Sequence, residues 1–397
     1  KRNVNSLVKS QTEDDKNTFE EIEEIVDELN GKIGSLSGIK SFEKRIEPEY
    51  RKFRNDDISV TIKSELAVTG VYANVVPYIK HKDDCNLYPT SGEGRKKVLV
   101  YSIYDLLASD MAERKINLFL IEEPENHLHK TLQIALSKIL FSNDVYQYLF
   151  VTTHSPYILY EMEDVNLVRI YNKTKINSAS VMYTVPEEYK ELKNKLNKNL
   201  AEALFSDKVL LVEGESEVLL FTKVLSSRKP LFEVYGIFIL SVDGIGFVPY
   251  FRILDTLEIT NIIRTDNDLK YNPSDGKYSV TGFSRCNNFI GKTESQKLPV
   301  ERINQNSVAA KRKLYDDNIR TINSIADRYK VYLSRCDLEN DLDEVLHIKL
   351  VHYLGTVNHL QSKKKYNMVE LVEKLSSEDC EEIYLHENFA CLKRVLQ

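Results

Sequence analysis

Three features of this 397-residue sequence predict an α/β protein built on parallel sheets. Short apolar runs alternate with stretches of helical periodicity, the order that parallel strands joined by crossover helices require. Several runs are apolar throughout, as strands buried on both faces are. The residues that close them are acids or a histidine, at the carboxyl edge where such sheets carry ligands.

Thr18 to Phe53 places Phe19, Ile22, Ile25, Val26, Leu29 and Ile33 at helical spacing and predicts a helical pair. Asp57 to Leu66 alternates apolar and polar residues, predicting a strand with one buried face, followed by a polar loop to Pro89. From Ser91 the order is helix, strand (Ile116 to Ile121), helix (His129 to Leu140), strand (Tyr148 to Thr152), with both strands expected to be covered on two faces. Strands at Leu167 to Tyr171 and Ala179 to Tyr183 precede a Lys-rich helical stretch, Glu187 to Asn199, that marks a boundary. A second run follows: strand Lys208 to Val212, helix Glu215 to Leu225, strand Ile237 to Val242, helix Val248 to Leu257, strand Ile259 to Arg264. Lys270 to Asn306 reads as loop with a short helix, then come a helix (Val308 to Tyr329), a strand (Lys330 to Ser334) and terminal helices. The expected division is 1–56, a helical dimerisation or insert region; 57–199, one α/β domain; and 200–397, a second with C-terminal helices.

A net charge of −6 excludes a uniformly basic nucleic-acid coat. It leaves local patches, for which Lys311-Arg312-Lys313, Lys190 to Lys198 and Lys363 to Lys365 are candidates. Five cysteines without C-x-x-C spacing argue against a disulfide framework and a Cys zinc site, so the expected location is cytoplasmic. No apolar run approaches the roughly 18 residues of a membrane span, and no membrane association is expected. The sequence opens at Lys1 inside a polar segment, from which a missing N-terminal portion is expected.

Two constellations carry chemistry. In the first, Glu122 and Glu123 follow an apolar strand, where acids can hold a metal and polarise water beside a triphosphate. Alone they read as a charged strand end. Downstream, His154 is delivered at the edge of the next strand, and upstream Ser91 and Gly92 open a helix whose free N–H groups favour phosphate. In the second, Glu213 stands at a strand tip with Glu217 at i+4, after Gly214, a residue that lets the chain turn sharply. Asp266 and Asp268 close another strand at i and i+2. Carboxylates gathered at one sheet edge repel, and a divalent cation is the reason to tolerate them.

In order, SGEGRKK, FLIEEPENHLH and FVTTHSP resemble the distal half of an ABC-type ATPase domain: signature motif, Walker B with catalytic glutamate, and switch histidine. The resemblance implies that Ser91 and Gly92 touch the γ-phosphate of nucleotide on another subunit, Glu122 holds Mg²⁺, Glu123 activates water and His154 senses the γ-phosphate. Glu122 stands where most such ATPases have Asp. No G-x-x-x-x-G-K-[ST] occurs, so ATP is expected at this domain only if a missing N-terminal part is present. Strand-Glu-Gly-x-x-Glu, then Asp243-Gly244, then strand-Asp-x-Asp resembles the Toprim fold, which implies Glu213, Asp266 and Asp268 as metal ligands with Glu217 in support.

An ATPase half followed by Toprim resembles the OLD (overcoming lysogenization defect) nucleases. YPTSGEGR, IEEPE, THSP, RTDNDLK, DLENDL, NMVELV and FACLK look more closely like the GajA family of nuclease subunits from Gabija anti-phage systems. That likeness adds Asp337, Glu339 and Lys364 to a site for two Mg²⁺ or Mn²⁺ ions, with Lys363 the alternative lysine. It implies a double-stranded DNA endonuclease, restrained by nucleotide at its ATPase domain, forming a dimer or tetramer, with a UvrD-like helicase, GajB, as partner. Other readings remain open at this point: a DNA repair or recombination ATPase whose Toprim domain binds without cutting, a Toprim topoisomerase or primase, and an assembly scaffold.

Overall fold

The computed structural model describes residues 13–53, 58–64, 75–81, 86–89, 92–111, 118–142, 146, 148–162, 165–172, 178–184, 193–244, 246–290, 296–354 and 357–397. It forms two compact units, Lys1–Ile158 and Leu159–Gln397.

In the first unit the helical pair is α1 (Glu13–Gly34) and α2 (Ser37–Phe53). Ile46 and Tyr50 of α2 enter a core with Val98, Leu99, Leu136 and Leu140. The expected strand is β1 (Ile58–Ser64), tied to α2 by Ile62 N–H, which donates to Glu43 Oε1 at 2.8 Å. The polar loop expected after it instead contains β2 (Val75–His81), antiparallel to β1, and β3 (Tyr88–Pro89). Pairing with β1 outweighs Pro77, which lacks a donor and weakens the strand pattern.

Helix α3 (Glu93–Met111), β4 (Leu118–Glu122), α4 (Lys130–Ser142) and β5 (Tyr148–Thr152) follow the predicted order, with β4 and β5 parallel. Burial on both faces does not hold. Phe119, Ile121, Leu149 and Val151 pack on the core, while Leu120 and Phe150 are 73% and 63% exposed. Among the described residues the two strands pair only with each other, and the face carrying Leu118, Leu120, Tyr148 and Phe150 is exposed.

In the second unit β6 (Asn166–Asn172) and β7 (Ser178–Thr184) form an antiparallel hairpin, followed by α5 (Lys193–Ala203). Then β8 (Lys208–Val212), α6 (Glu215–Arg228), β9 (Ile237–Ser241), α7 (Phe247–Thr256) and β10 (Thr260–Thr265) build the predicted parallel sheet. Leu210 lies opposite both Ile239 and Ile262. The 270–306 stretch, expected to be loop, holds β11 (Leu269–Asn272), β12 (Lys277–Val280) and β13 (Arg302–Ile303) in an antiparallel sheet, besides the short helix α8 (Thr281–Asn287). These strands are too short and polar to show a period.

The helix expected over Val308 to Tyr329 divides into α9 (Val308–Asp317) and α10 (Ile319–Tyr329). Asn318 separates them, its side chain donating back to the Leu314 carbonyl at 2.9 Å, a local bond that competes with helix continuation. Strand β14 (Val331–Leu333) completes the sheet in the order β14-β10-β8-β9, all parallel, with every carboxyl end on one edge. Helices α11 (Leu338–Leu354), α12 (Val357–Ser362), α13 (Lys364–Lys374), α14 (Ser377–Leu385) and α15 (Ala390–Leu396) close the core beneath β8 and β10. Cys286, Cys336, Cys380 and Cys391 are buried free thiols, and Cys85 lies outside the described residues. Among the described residues no helix is long and apolar enough to cross a membrane.

Candidate metal centre

Three strand tips deliver the acids. Strand β8 ends in Glu213, and Glu217 follows one turn into α6, buried. Gly214 between them is extended, with φ −151° and ψ 178°, so the sharp turn expected of this glycine is not needed. Strand β10 ends in Asp266-Asn267-Asp268, and β14 leads to Asp337 and Glu339 at the start of α11. The middle residue, Asn267, is buried and faces elsewhere. Its Nδ2 donates to the carbonyls of Lys311 at 3.0 Å and Arg335 at 3.3 Å, and its N–H donates to Cys336 O at 3.1 Å. The motif therefore fixes the loop before α11 and the start of α9 as well as presenting two acids.

Basic side chains bind the acids into one network. Glu213 Oε1 accepts from Asp266 N–H at 2.8 Å, Thr265 Oγ1 at 2.7 Å and Arg285. Arg264, only 1% exposed, lies between the rings of Phe221 and Phe389 and pairs with Glu217 at 3.8 Å, Asp266 at 3.5 Å and Asp341 at 3.3 Å. Ser334 Oγ donates to Asp266 Oδ1 at 2.9 Å. Arg285 also donates to Asp268 Oδ2 at 2.9 Å, and Lys311 Nζ stands 3.7 Å from Asp268 and 3.9 Å from Asp337. Lys364 Nζ is 4.0 Å from Glu339, whereas Lys363 lies over the Tyr366 ring and Lys365 pairs with Glu215 at 3.2 Å.

Burial raises the carboxyl pKa values here. It pushes Asp266 well above the ordinary range, Glu217 up to about 7 and Asp341 up to about 6, each against the pull of Arg264. Glu339 rises as well, with Lys364 opposing, and its Oε2 is buried without a hydrogen-bond partner. Among the described residues no three His, Cys, Asp or Glu side chains converge tightly enough to hold an ion as they stand, and Arg285 and Lys311 pair with Glu213, Asp268 and Asp337. The donor set still fits a divalent cation: hard oxygens, several ionised only at a cost, and one buried acceptor lacking a donor. Beside Glu213 and Arg285 opens a cleft of about 310 Å³, walled opposite by Gly244, Gly246 and Phe247.

Arg264, Arg285, Lys311 and Asp341 were not singled out from sequence as members of this site. Lys311 and Arg312, two of the candidates for a basic patch, pair with Asp268 and Asp337, and with Glu344 at 3.5 Å, respectively. The one signal was the inward helical spacing of Lys311, Leu314 and Tyr315, which marks Lys311 as facing the protein.

In the first unit, Glu122 closes β4 and Glu123 follows it, with His154 Nε2 standing 3.7 Å from Glu123 Oε1. Lys97 of α3 donates to the Glu123 carbonyl at 3.0 Å. Glu125, also missed from sequence, accepts from His154 N–H at 2.7 Å and Thr153 Oγ1 at 2.8 Å and so fixes the histidine's backbone. Gly92 begins the first turn of α3, and Ser91 lies outside the described residues.

Comparison with known proteins agrees with both halves. Residues 2–159 match the family model described as AAA ATPase domain, and residues 204–268 match that described as Overcoming lysogenization defect protein-like, TOPRIM domain. Endonuclease GajA of Bacillus cereus (strain VD045) is 41% identical over 400 residues, covering 97% of this chain and 68% of that protein. Endonuclease GajA of Bacillus cereus (strain HuB5-5) is 23% identical over 287 residues, covering 64% of this chain and 41% of that protein. The structure of the C-terminal region of the Burkholderia pseudomallei OLD protein overlaps at 16% identity and a TM-score of 0.26, covering 48% of this chain and 87% of that one. The molecule thus joins an AAA-type ATPase region to an OLD-like Toprim domain. The chain belongs to the GajA endonuclease family.

Proposed function

We propose that this chain is a metal-dependent double-stranded DNA endonuclease of an anti-phage defence system, cutting phosphodiester bonds at the Toprim edge under the control of nucleotide at its ATPase region. The observation that carries the reading is that three parallel strand tips bring Glu213, Glu217, Asp266, Asp268, Asp337 and Glu339 to one sheet edge in a relative of endonuclease GajA. These carboxylates would hold the divalent cations, Mg²⁺ or Mn²⁺, which supply activation of water and stabilisation of the leaving oxygen. Lys364 neutralises charge that develops on the scissile phosphate. Arg264 and Asn267 position the acids from behind.

In the same proposal, Ser91, Gly92, Glu122, Glu123 and His154 serve the ATPase half-site, the protein works as a homo-oligomer, and a GajB-type helicase is its partner. The division at 56/57 and 199/200 belongs to the proposal too. The test is plasmid and linear DNA cleavage by the intact protein in Mg²⁺, beside an EDTA control and Asp266→Ala. Cutting that requires both the metal and Asp266 is the expected result. DNA binding and ATP turnover without cutting in any divalent metal would replace it with the non-cutting DNA ATPase.

A further inference from the structure

We infer that Arg285 is a counter-cation built into the acidic edge, and that a divalent metal ion must displace it before using Glu213 and Asp268 together. The inference rests on the metal reading of the cluster and adds a residue that sets metal affinity.

Arg285 reaches the acids from α8. Helix α8 begins against the Asp-Asn-Asp backbone, where Thr281 and Gly282 donate their N–H groups to the Asp268 carbonyl at 2.9 and 3.1 Å. Only glycine permits this approach, since a Cβ at position 282 would stand 2.6 Å from the Asp266 carbonyl oxygen and 2.9 Å from Asn267 Cα. One turn on, Arg285 is therefore held over the strand tips. Its guanidinium fork spans two of them, donating to Glu213 Oε1 and Thr265 Oγ1 through one nitrogen and to Asp268 Oδ2 through the other.

From the far side Lys311 faces Asp268 Oδ1, so both oxygens of that carboxylate already face a cation. Glu213 Oε1 likewise takes three donors. A metal ion bound to Glu213 and Asp268 would occupy the space that the fork spans, and two positive charges in that space repel. The same acids must therefore choose between the guanidinium and the ion. Arg285 is a third exposed and opens on the 310 Å³ cleft, which gives the released side chain a place outside the cluster. Arg264, sealed beneath Glu217 and Asp266, has no such exit.

The test is Mn²⁺ titration by calorimetry on the intact protein without DNA or nucleotide, comparing wild type, Arg285→Gln and Arg285→Lys. Arg285→Gln is expected to bind Mn²⁺ about tenfold more tightly, with Arg285→Lys between the two, a change of the size that neighbours of metal ligands produce. Equal or weaker binding by Arg285→Gln, with wild type binding Mn²⁺, overturns the inference alone. Absence of Mn²⁺ binding by both wild type and Arg285→Gln overturns the metal reading and the inference with it. If Arg285→Gln does not fold, phenylglyoxal labelling of the wild type gives the same answer. Mn²⁺ should speed modification at Arg285, and an unchanged or slower rate overturns the displacement.

Discussion

Asp266 and Asp379 are both buried acids in the second unit, 8% and 1% exposed, yet their surroundings push them in opposite directions. Burial lifts Asp266 well above the ordinary carboxyl range, and Glu217, Glu213 and Asp268 add to the rise against Arg264. Burial also acts on Asp379 at the start of α14, but donors outweigh it and hold that carboxyl below the ordinary range. Ser376 donates from N and Oγ at 2.9 and 2.7 Å, Lys349 Nζ at 2.9 Å and Tyr353 OH at 2.8 Å. Together with Asp379 N–H donating to Ser376 Oγ at 3.1 Å, this is a capping box. Donor supply therefore separates Asp379, held ionised by four donors, from Asp266, to which Ser334 alone among the described residues donates a hydrogen bond.

The largest effect expected is on cleavage. Asp266→Ala should lower the DNA cleavage rate at least about a thousandfold, as loss of a metal ligand does, while Asp379→Ala leaves the rate per folded molecule unchanged. Initial rates normalised to the folded fraction measure this, and a comparable fall in both variants would dissolve the contrast. Next, Lys364→Ala should slow cleavage about a hundredfold with DNA affinity retained, by removing charge beside the reacting phosphate. A larger loss from Lys363→Ala, in parallel assays, would transfer the role.

Stability should show the reverse order. Asp379→Ala is expected to cost about 2 kcal/mol in urea denaturation near neutral pH, the scale of losing charge-assisted bonds at a cap. Because the native pKa is depressed, this contribution is full above the ordinary aspartate value of about 4 and is lost as pH falls through the native value. Denaturation curves of wild type and variant should therefore draw together in acid. The smallest change, about 1 kcal/mol, belongs to Ser376→Ala, which removes the hydroxyl but leaves the Lys349 and Tyr353 bonds.

The parallel sheet and its acidic edge were legible because β8 and β10 are continuous buried strands that end in their acids. What completes the edge was not. Arg264 sits within a motif, but its partners Glu217, Asp341, Phe221 and Phe389 are scattered along the chain and meet only through the fold. Arg285 lies in a stretch without usable period, on a helix that docks through backbone contacts at Gly282. The β4–β5 strands misled in another way: apolar composition announced burial on both faces, but among the described residues only alternate side chains are covered.

The placement of Phe389 bears on when this molecule can act during its own synthesis. Its ring forms one wall of the slot that holds Arg264, and Lys208, at the start of the first site strand, donates to the carbonyl of Val395 at 3.4 Å. The floor beneath the acids is therefore assembled only after the ribosome has released residues far downstream of the acids themselves. Chains fold from the N-terminus as they emerge, so the strand tips can form early while their supporting arginine still lacks its cover. A site wired this way stays incomplete until Phe389 has emerged, and a polypeptide ending before it would carry the acids without that wall of the Arg264 slot.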